Sequence, residues 1–316
     1  MQIIIVVLGA VLGFTYGYYE NGFIFDSNIC LFAGLTLIMP SLFNVKFKDV
    51  RLLWQYKTVI IKSILVNYLL MPGLALAIGL MTGDFGIAAG LFLLSVLSGG
   101  GMVMHWIKKS NADASLGFLL LSINLVFVSL SLLLLHIFGI FTAEYFETSY
   151  SDEINMSNFA QAVIVLLIIV PFIASRVVLF IKPLVSLIET YRSVISNISI
   201  FVILFYLFGL QNSQLLFEIY DFEPELIYIS FFAVFVFYLL ILILSKLIYN
   251  LDSAQQKAAF WHSVTRYITL ALVISTFSTN TFGVSMILPI MFAYIIQIPY
   301  AILIEKKIAS RSISIR

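Results

Sequence analysis

An arginine set among strongly apolar residues is the first group in this chain with chemistry to perform. Arg266 lies in the stretch Phe260 to Ser278, Phe-Trp-His-Ser-Val-Thr-Arg-Tyr-Ile-Thr-Leu-Ala-Leu-Val-Ile-Ser-Thr-Phe-Ser, which also carries His262, Ser263, Thr265 and Thr269. On one continuous helix, spacing of i, i+4 and i+7 places His262, Arg266 and Thr269 on a single face. A guanidinium stays charged and presents a planar fork suited to carboxylate or phosphate, so the chemistry suggested is anion binding. Holding that charge in hydrocarbon costs at least ~2.5 kcal/mol, which makes an intramembrane Arg a functional-site candidate by default. The competing reading is snorkelling. With a helix start near Ala254 or Phe260, Arg266 is only ~9 to 18 Å inside at 1.5 Å per residue, within reach of the membrane surface.

Other polar or irregular positions join it. Ser63 and Asn67 stand four apart just before Met71-Pro72, where proline frees a backbone carbonyl. Gly99, Gly100 and Gly101 follow Leu97-Ser98; each costs about 1 kcal/mol of helix propensity relative to Ala and favours unwinding or close backbone approach. Tight packing of small residues is the alternative for these glycines. Ser115, Ser122 and Ser129 recur every seven residues as a hydroxyl stripe, for which helix packing is the ordinary reading. Gln211, Asn212, Ser213 and Gln214 read as a solvated helix end.

The elements that must position these groups are membrane helices. In 316 residues, 62% are hydrophobic and only 10% charged, far from the composition of a soluble domain. A single cysteine, Cys30, excludes a disulfide framework or a multi-cysteine metal site, and a net charge of +1 without a long basic run excludes a nucleic-acid partner. Apolar stretches of ~20 residues fall at roughly 2–18, 28–43, 59–81, 86–106, 114–140, 158–181, 194–217, 226–248, 259–278 and 284–304. Long unbroken runs, without the alternation of a barrel, predict an all-α integral membrane protein of ten transmembrane helices. The first run lacks the basic start of a signal peptide and is read as a span.

Loop charges set the orientation, because Lys and Arg collect on the cytoplasmic side. Lys46, Lys48, Arg51 and Lys57, then Lys108 and Lys109, then Lys182 and Arg192, then Lys257, then Lys306, Lys307, Arg311 and Arg316 mark one side. Glu20, Asp26, Asp84, Glu144, Glu147, Asp152, Glu153, Glu218, Asp221, Glu223 and Glu225 mark the other. The alternation predicts a multi-pass protein of the cell (inner) membrane with both termini cytoplasmic. The loop 141–157 divides the spans five and five, an odd number, so tandem units would enter the membrane in opposite senses. The expected organisation is therefore a five-helix repeat over 1–140, an external linker over 141–157, an inverted repeat over 158–304 and a cytoplasmic tail over 305–316. The fourth span of each half is the atypical one, and paired interrupted helices point to a midplane binding site. No HExxH, Walker, GxSxG or EF-hand pattern is present, and no Asp or Glu lies well inside a span, so no catalytic residue and no metal site is expected.

The runs Leu-Thr-Leu-Ile-Met-Pro from Leu35, Asn67-Tyr-Leu-Leu-Met-Pro-Gly, Gly99-Gly100-Gly101-Met-Val-Met-His-Trp and Asn111-Ala-Asp-Ala-Ser resemble the bile acid:sodium symporter superfamily. The resemblance implies ten spans in two inverted repeats with helices four and nine broken and crossing, and a Leu270-Ala271 pair similar to the ninth-helix motif extends it into the second half. It implies an ion-binding set of Asn67, Ser115 and Ser122, with Asn67 in place of a family Gln. The family's Ser-Asn pair falls near Gly101 and Met102, its ninth-helix Glu near His262 and its Gln near Arg266, so a cation stands where a cation ligand is expected. In the related arsenite permeases the functional Cys and Glu fall near Gly99 and Thr269, which argues against arsenite. The expected function is secondary transport of a small, anionic organic solute by alternating access, with Arg266, His262, Thr269, Asn67, Gly99, Gly100 and Gly101 at the substrate. No cofactor is expected, and sodium is the one candidate coupling ion. The alternatives are a sodium symporter using carbonyl and hydroxyl ligands, and a non-transporting membrane sensor or enzyme retaining the fold. Membrane lipid and the solute are the expected partners, and oligomeric state is open.

Overall fold

A computed structural model describes residues 2–23, 28–33, 35–36, 39–43, 52–100, 103–150, 165, 169–209 and 224–314. Gly101, Met102, the amides Gln211 to Gln214, and the loop charges Asp26, Lys46, Lys48, Arg51, Asp152, Glu153, Glu218, Asp221, Glu223 and Arg316 lie outside the described residues. Regular structure among the described residues is helical: α1 Gln2–Glu20, α2 Asn28–Ala33, α3 Met39–Leu42, α4 Leu52–Gln55, α5 Lys57–Leu65, a π-helical turn Val66–Leu70, α6 Met71–Leu80, α7 Phe85–Val96, α8 Val103–Lys109, α9 Ala114–Val126, α10 Val128–Thr142, α11 Val170–Leu179, α12 Lys182–Thr190, α13 Arg192–Phe208, α14 Pro224–Ile248, α15 Ala254–Val264, α16 Ile268–Phe282, a 3-10 turn Val284–Met286 and α17 Ile287–Ser314.

Three unbroken helical stretches among these residues, Lys57–Leu80, Pro224–Ile248 and Val284–Ile308, are long and apolar enough to cross a membrane, and up to five if each of two bent pairs is one span. The outward face of α14 shows what surrounds it. Tyr228, Phe232, Phe235, Leu239, Ile243 and Leu247 recur at helical spacing and are exposed, a continuous apolar stripe that hydrocarbon solvates and water does not. The chain is an integral membrane protein. The expected spans 28–43, 158–181 and 194–217 fall partly outside the described residues.

The chain divides into two compact units, and neither is a half of the sequence. One takes Met1–Val45 and Asp152–Phe222, the other Lys46–Ser151 and Glu223–Arg316, so each draws a segment from either side of the 141–157 loop. In the first unit α1 packs along α13, and the Phe23 amide donates to the Gly209 carbonyl at 2.9 Å. Residues 182–190, read from sequence as part of a loop, form α12, which turns 115° from α11. Lys182 and Pro183 start it, and Leu184 and Leu187 remain exposed.

The second unit is built around α7, every residue of which is buried. Asp84 caps this helix by accepting from the Ile87 amide at 2.7 Å, satisfying one of the donors left free at a helix start. The same carboxylate oxygen accepts from the Ser285 hydroxyl at 2.7 Å, tying the 3-10 turn to α7. Asp113, within the Asn-Ala-Asp-Ala-Ser run, does the equivalent for α9 by accepting from the Leu116 amide at 3.0 Å. The serine stripe does not survive as one line. A 50° bend at Phe127 separates α9 from α10; Ser122 donates to the Phe118 carbonyl of its own helix at 3.0 Å, and Ser129 donates back across the bend to the Val126 carbonyl at the end of α9 at 3.4 Å.

Candidate functional site

The helix through the glycines and the helix through Arg266 are both interrupted, and the interruptions meet. α7 ends at Val96 and α8 begins at Val103; α15 ends at Val264 and α16 begins at Ile268. Between them the Gly99 amide donates to the Thr265 carbonyl and the Tyr267 amide to the Leu97 carbonyl, each at 2.9 Å, making an antiparallel bridge between Ser98 and Arg266. Unwound backbone at membrane depth must find partners inside the protein, and here each break satisfies the other.

Two amides complete the satisfaction of these peptides. The Asn124 amide, on α9, donates to the Ser98 carbonyl at 3.2 Å. Gln297, on α17, accepts from the Arg266 amide at 2.6 Å and donates to the Arg266 carbonyl at 3.1 Å, gripping both edges of that residue. Sequence reasoning missed both. Their signal was present: each is an uncharged amide deep in an apolar helix, which demands a partner.

The break changes what the spacing of His262, Arg266 and Thr269 means. Thr265 is extended, at φ −106° and ψ 139°, so the three residues no longer share one helical face and their side chains diverge. His262 pairs Nε2 with the Gly117 carbonyl at 2.8 Å and Nδ1 with the Asn124 amide nitrogen at 3.2 Å. A carbonyl only accepts and that nitrogen only donates. The neutral ring with its proton on Nε2 therefore satisfies both, and His262 is a strut. Thr269 accepts from the Tyr294 hydroxyl at 2.9 Å.

Arg266 is 1% exposed. The snorkelling reading falls with that figure, since the side chain reaches inward instead of to a surface. Nη1 donates to Asn67 Oδ1 at 3.3 Å and to the Ser95 carbonyl at 2.9 Å, and Nη2 donates to the Ser263 carbonyl at 2.6 Å. Nε has no partner among the described residues. Tyr68, Tyr238, Tyr249 and Tyr300 lie near enough to feel the charge, and no carboxylate is among the groups bonded to it. Asn67 is held for this purpose: its Nδ2 donates to the Ser63 carbonyl at 2.9 Å and to the Ser63 and Ser263 hydroxyls at 3.2 and 3.3 Å. It sits in the π-helical turn just before Pro72, where proline prevents an ordinary helical register and the backbone widens.

Gly99 explains why a side chain is excluded from the bridge. Its φ is +63°, and a Cβ there would lie 2.2 Å from His262 Nδ1 and 3.3 Å from the Asn124 amide nitrogen; at Gly100 the nearest atom, the Arg266 carbonyl oxygen, would be 3.0 Å away. Gly99→Ala is expected to destabilise the protein by about 2 to 5 kcal/mol, combining left-handed strain with overpacking. Gly100→Ala, with ordinary φ, should cost clearly less. Thermal unfolding of the two variants in one detergent checks the order, and equal losses would refute the stated cause. Gly101 lies outside the described residues.

The family model described as the sodium bile acid symporter family matches residues 31–218. This chain belongs to that family. The match covers more than half of the chain, and with it Asn67, Ser95 and the glycine break, but ends before Arg266. No curated protein is matched by the chain. Members of this family are transporters, which places the broken helices in a membrane transporter with lipid around it and a small-molecule solute as its cargo.

The family also implies sodium, and the residues present can be tested against that ion. Three neutral oxygens, Asn67 Oδ1 and the Ser95 and Ser263 carbonyls, converge as they would on a monovalent cation, but the guanidinium already takes all three. Of the remaining candidates, Ser122 donates to its own helix and Ser115 is exposed; no hydrogen bond among the described residues joins either to Asn67. These residues do not fit a sodium ion here, because a permanent cation fills the position.

Proposed function

We propose that the protein is a secondary transporter of a small organic anion, working by alternating access, with the anion bound where the two breaks meet. The observation that carries this reading is the donor count on Arg266. A guanidinium has five N–H groups; three hydrogen bonds are made to neutral acceptors, which leaves Nε–H and one further N–H for a ligand. A carboxylate supplies two acceptor oxygens and the missing negative charge, in the bidentate geometry that Arg favours. Closed over the site, the protein hides Arg266; opening on either side exposes it, which is the requirement of alternating access.

Ten spans in two inverted five-helix repeats, 1–140 and 158–304, are part of the proposal, with both termini cytoplasmic and the protein in the cell membrane. The amides support the repeat. Asn124 follows the first break and bonds its Ser98 peptide, while Gln297 follows the second and bonds its Arg266 peptide, so each half uses the next helix to secure its own break. The composition of each compact unit from both halves of the sequence is in keeping with this. Substrate contacts are assigned to Arg266, Asn67, Thr269 and the backbone at Gly99, Gly100 and Gly101, with His262 as support.

A thermal-shift screen of organic anions on purified protein, with and without sodium, tests the reading. Binding at about 100 times Kd adds about 2.7 kcal/mol to stability, so carboxylates or phosphates should raise the unfolding temperature while matched neutral analogues should not. Flux of the selected anion into proteoliposomes separates a transporter from a sensor or enzyme with the same fold. Binding without flux would overturn the transport assignment.

A further inference from the structure

Transport makes no use of the short helix α12, Lys182–Thr190, in the first unit. The corner that leads into it is tightly made. α11 ends at Leu179, Ile181 leaves the helical region at φ −104° and ψ 79°, and Pro183 takes a first-turn position where no amide partner is needed. The Phe180 and Ile181 amides donate to the Val177 and Val178 carbonyls at 3.1 and 2.9 Å, and the Ile181 carbonyl accepts from the Leu184 and Val185 amides at 3.0 and 3.2 Å. Backbone bonds therefore close both sides of the 115° turn. At 3.6 residues per turn the side chains of α12 fall into three sectors. Lys182, Ser186, Glu189 and Thr190 form a polar, exposed one, and Val185 and Ile188 are half-buried against the protein. Leu184, Leu187 and, just past the end, Tyr191 share the third; all are exposed, Leu187 at 55%.

That third sector continues the apolar surface of α11. Ile173 and Val177 are exposed on α11 at helical spacing, and Phe180 and Ile181 carry the exposed apolar run around the corner to Leu184 and Leu187. Water is a poor surrounding for such a run. The hydrocarbon core would suit it, but would also take in the charges of Lys182 and Glu189 and the hydroxyls beside them. A nine-residue helix, about 14 Å long at 1.5 Å per residue, is moreover too short to cross a core of about 30 Å. Only the boundary between head groups and acyl chains serves both faces at once, and a ring with a polar tip such as Tyr191 is at home there. We infer that α12 lies in the plane of the membrane at that boundary, with Leu184, Leu187 and Tyr191 seated in the leaflet on the side that carries Lys182 and Arg192. Because the corner is closed by backbone bonds, the seated helix sets the depth of α11 in the bilayer. The inference does not depend on which solute is transported.

Fluorescence quenching on the full chain in phosphatidylcholine nanodiscs, where both membrane surfaces are open to solutes, provides the test. Cys30→Ser removes the one native thiol, and Leu184→Cys, Leu187→Cys and Ser186→Cys are then made singly and labelled with bimane. Iodide should quench the label at 186 at least about threefold more than at 184 or 187, because the polar sector faces water. Lipid brominated near the glycerol should quench the labels at 184 and 187 at least about twofold more than lipid brominated near the chain ends, the signature of a shallow seat. Circular dichroism and size-exclusion elution establish that each variant is folded, and Tyr191→Cys, on the same face, replaces any apolar-face variant that is not. Equal iodide quenching at the three positions would overturn the proposal, since the whole helix would then stand in water. Strongest quenching from the chain ends would do the same by placing α12 in the hydrocarbon core. So would protection from both quenchers at 184 and 187: a disulfide formed between two copies at 187 would then identify a second copy on this face, and its absence would put another part of the same chain there.

Discussion

Arg266→Gln is expected to weaken binding of the anionic solute by about 2 to 5 kcal/mol, roughly 30- to 4,000-fold, if the lost pair is desolvated. Gln is shorter and uncharged, and it cannot offer the paired donors that remain on the guanidinium. Arg266→Lys should recover only part of the loss, since it restores the charge and not the fork. Stability responds differently from affinity. The Gln variant leaves the Ser95 and Ser263 carbonyls without their donor, at about 1 to 3 kcal/mol for each buried group, but it also removes the cost of burying a charge. The two terms oppose, so the unfolding temperature should move by a few degrees while affinity moves by orders of magnitude. Titration of the anion selected by the thermal-shift screen against wild type, Gln and Lys proteins measures both. Unchanged affinity in the Gln variant would end the anion-anchor assignment.

Replacing sodium with choline is expected to leave uptake within about twofold. The oxygens suited to a monovalent ion are already bonded to Arg266. A sodium ion brought to about 4 Å from the guanidinium would meet a repulsion of about 4 kcal/mol at an effective dielectric of 20, enough to empty a site of ordinary affinity. The charge that a bound cation would contribute near the anion is here covalently attached and never leaves. Uptake measured in proteoliposomes across a sodium gradient, then with choline on both sides, checks this. A complete stop in choline would show that sodium binds elsewhere and that Arg266 does not replace it.

Much of this could be read from residue types alone. Apolar runs of membrane length, broken by three glycines in one place and by a polar cluster with an arginine in another, specify two irregular helices, since glycine lowers helix propensity and a charge in lipid requires a partner wherever it sits. The absence of a carboxylate in the spans leaves backbone carbonyls, the Asn67 amide, water or a bound anion as partners for Arg266, and the first two of these are the ones it bonds. These conclusions depend on local composition and on the intolerance of hydrocarbon for unpaired polar groups, and both are written along the chain.

Three outcomes were decided only by tertiary structure. The helical face shared by His262, Arg266 and Thr269 assumed one continuous helix, but Thr265 takes an extended conformation because its carbonyl is claimed by Gly99 from a segment more than 160 residues earlier. Once the helix breaks, periodicity stops describing where side chains go: His262 turns to Gly117 and Asn124, and Arg266 to Asn67 and Ser95. Asn124 and Gln297 likewise gain their roles only when the breaks are placed beside them. The hydroxyls of Ser115 and Ser122, joined to the ion set by resemblance, stay with solvent-facing surface and local backbone. A sequence specifies which groups need a partner, because burial and charge are properties of the residue. Which partner each receives depends on hydrogen bonds between segments distant in the chain, and those exist only after the two broken helices have met.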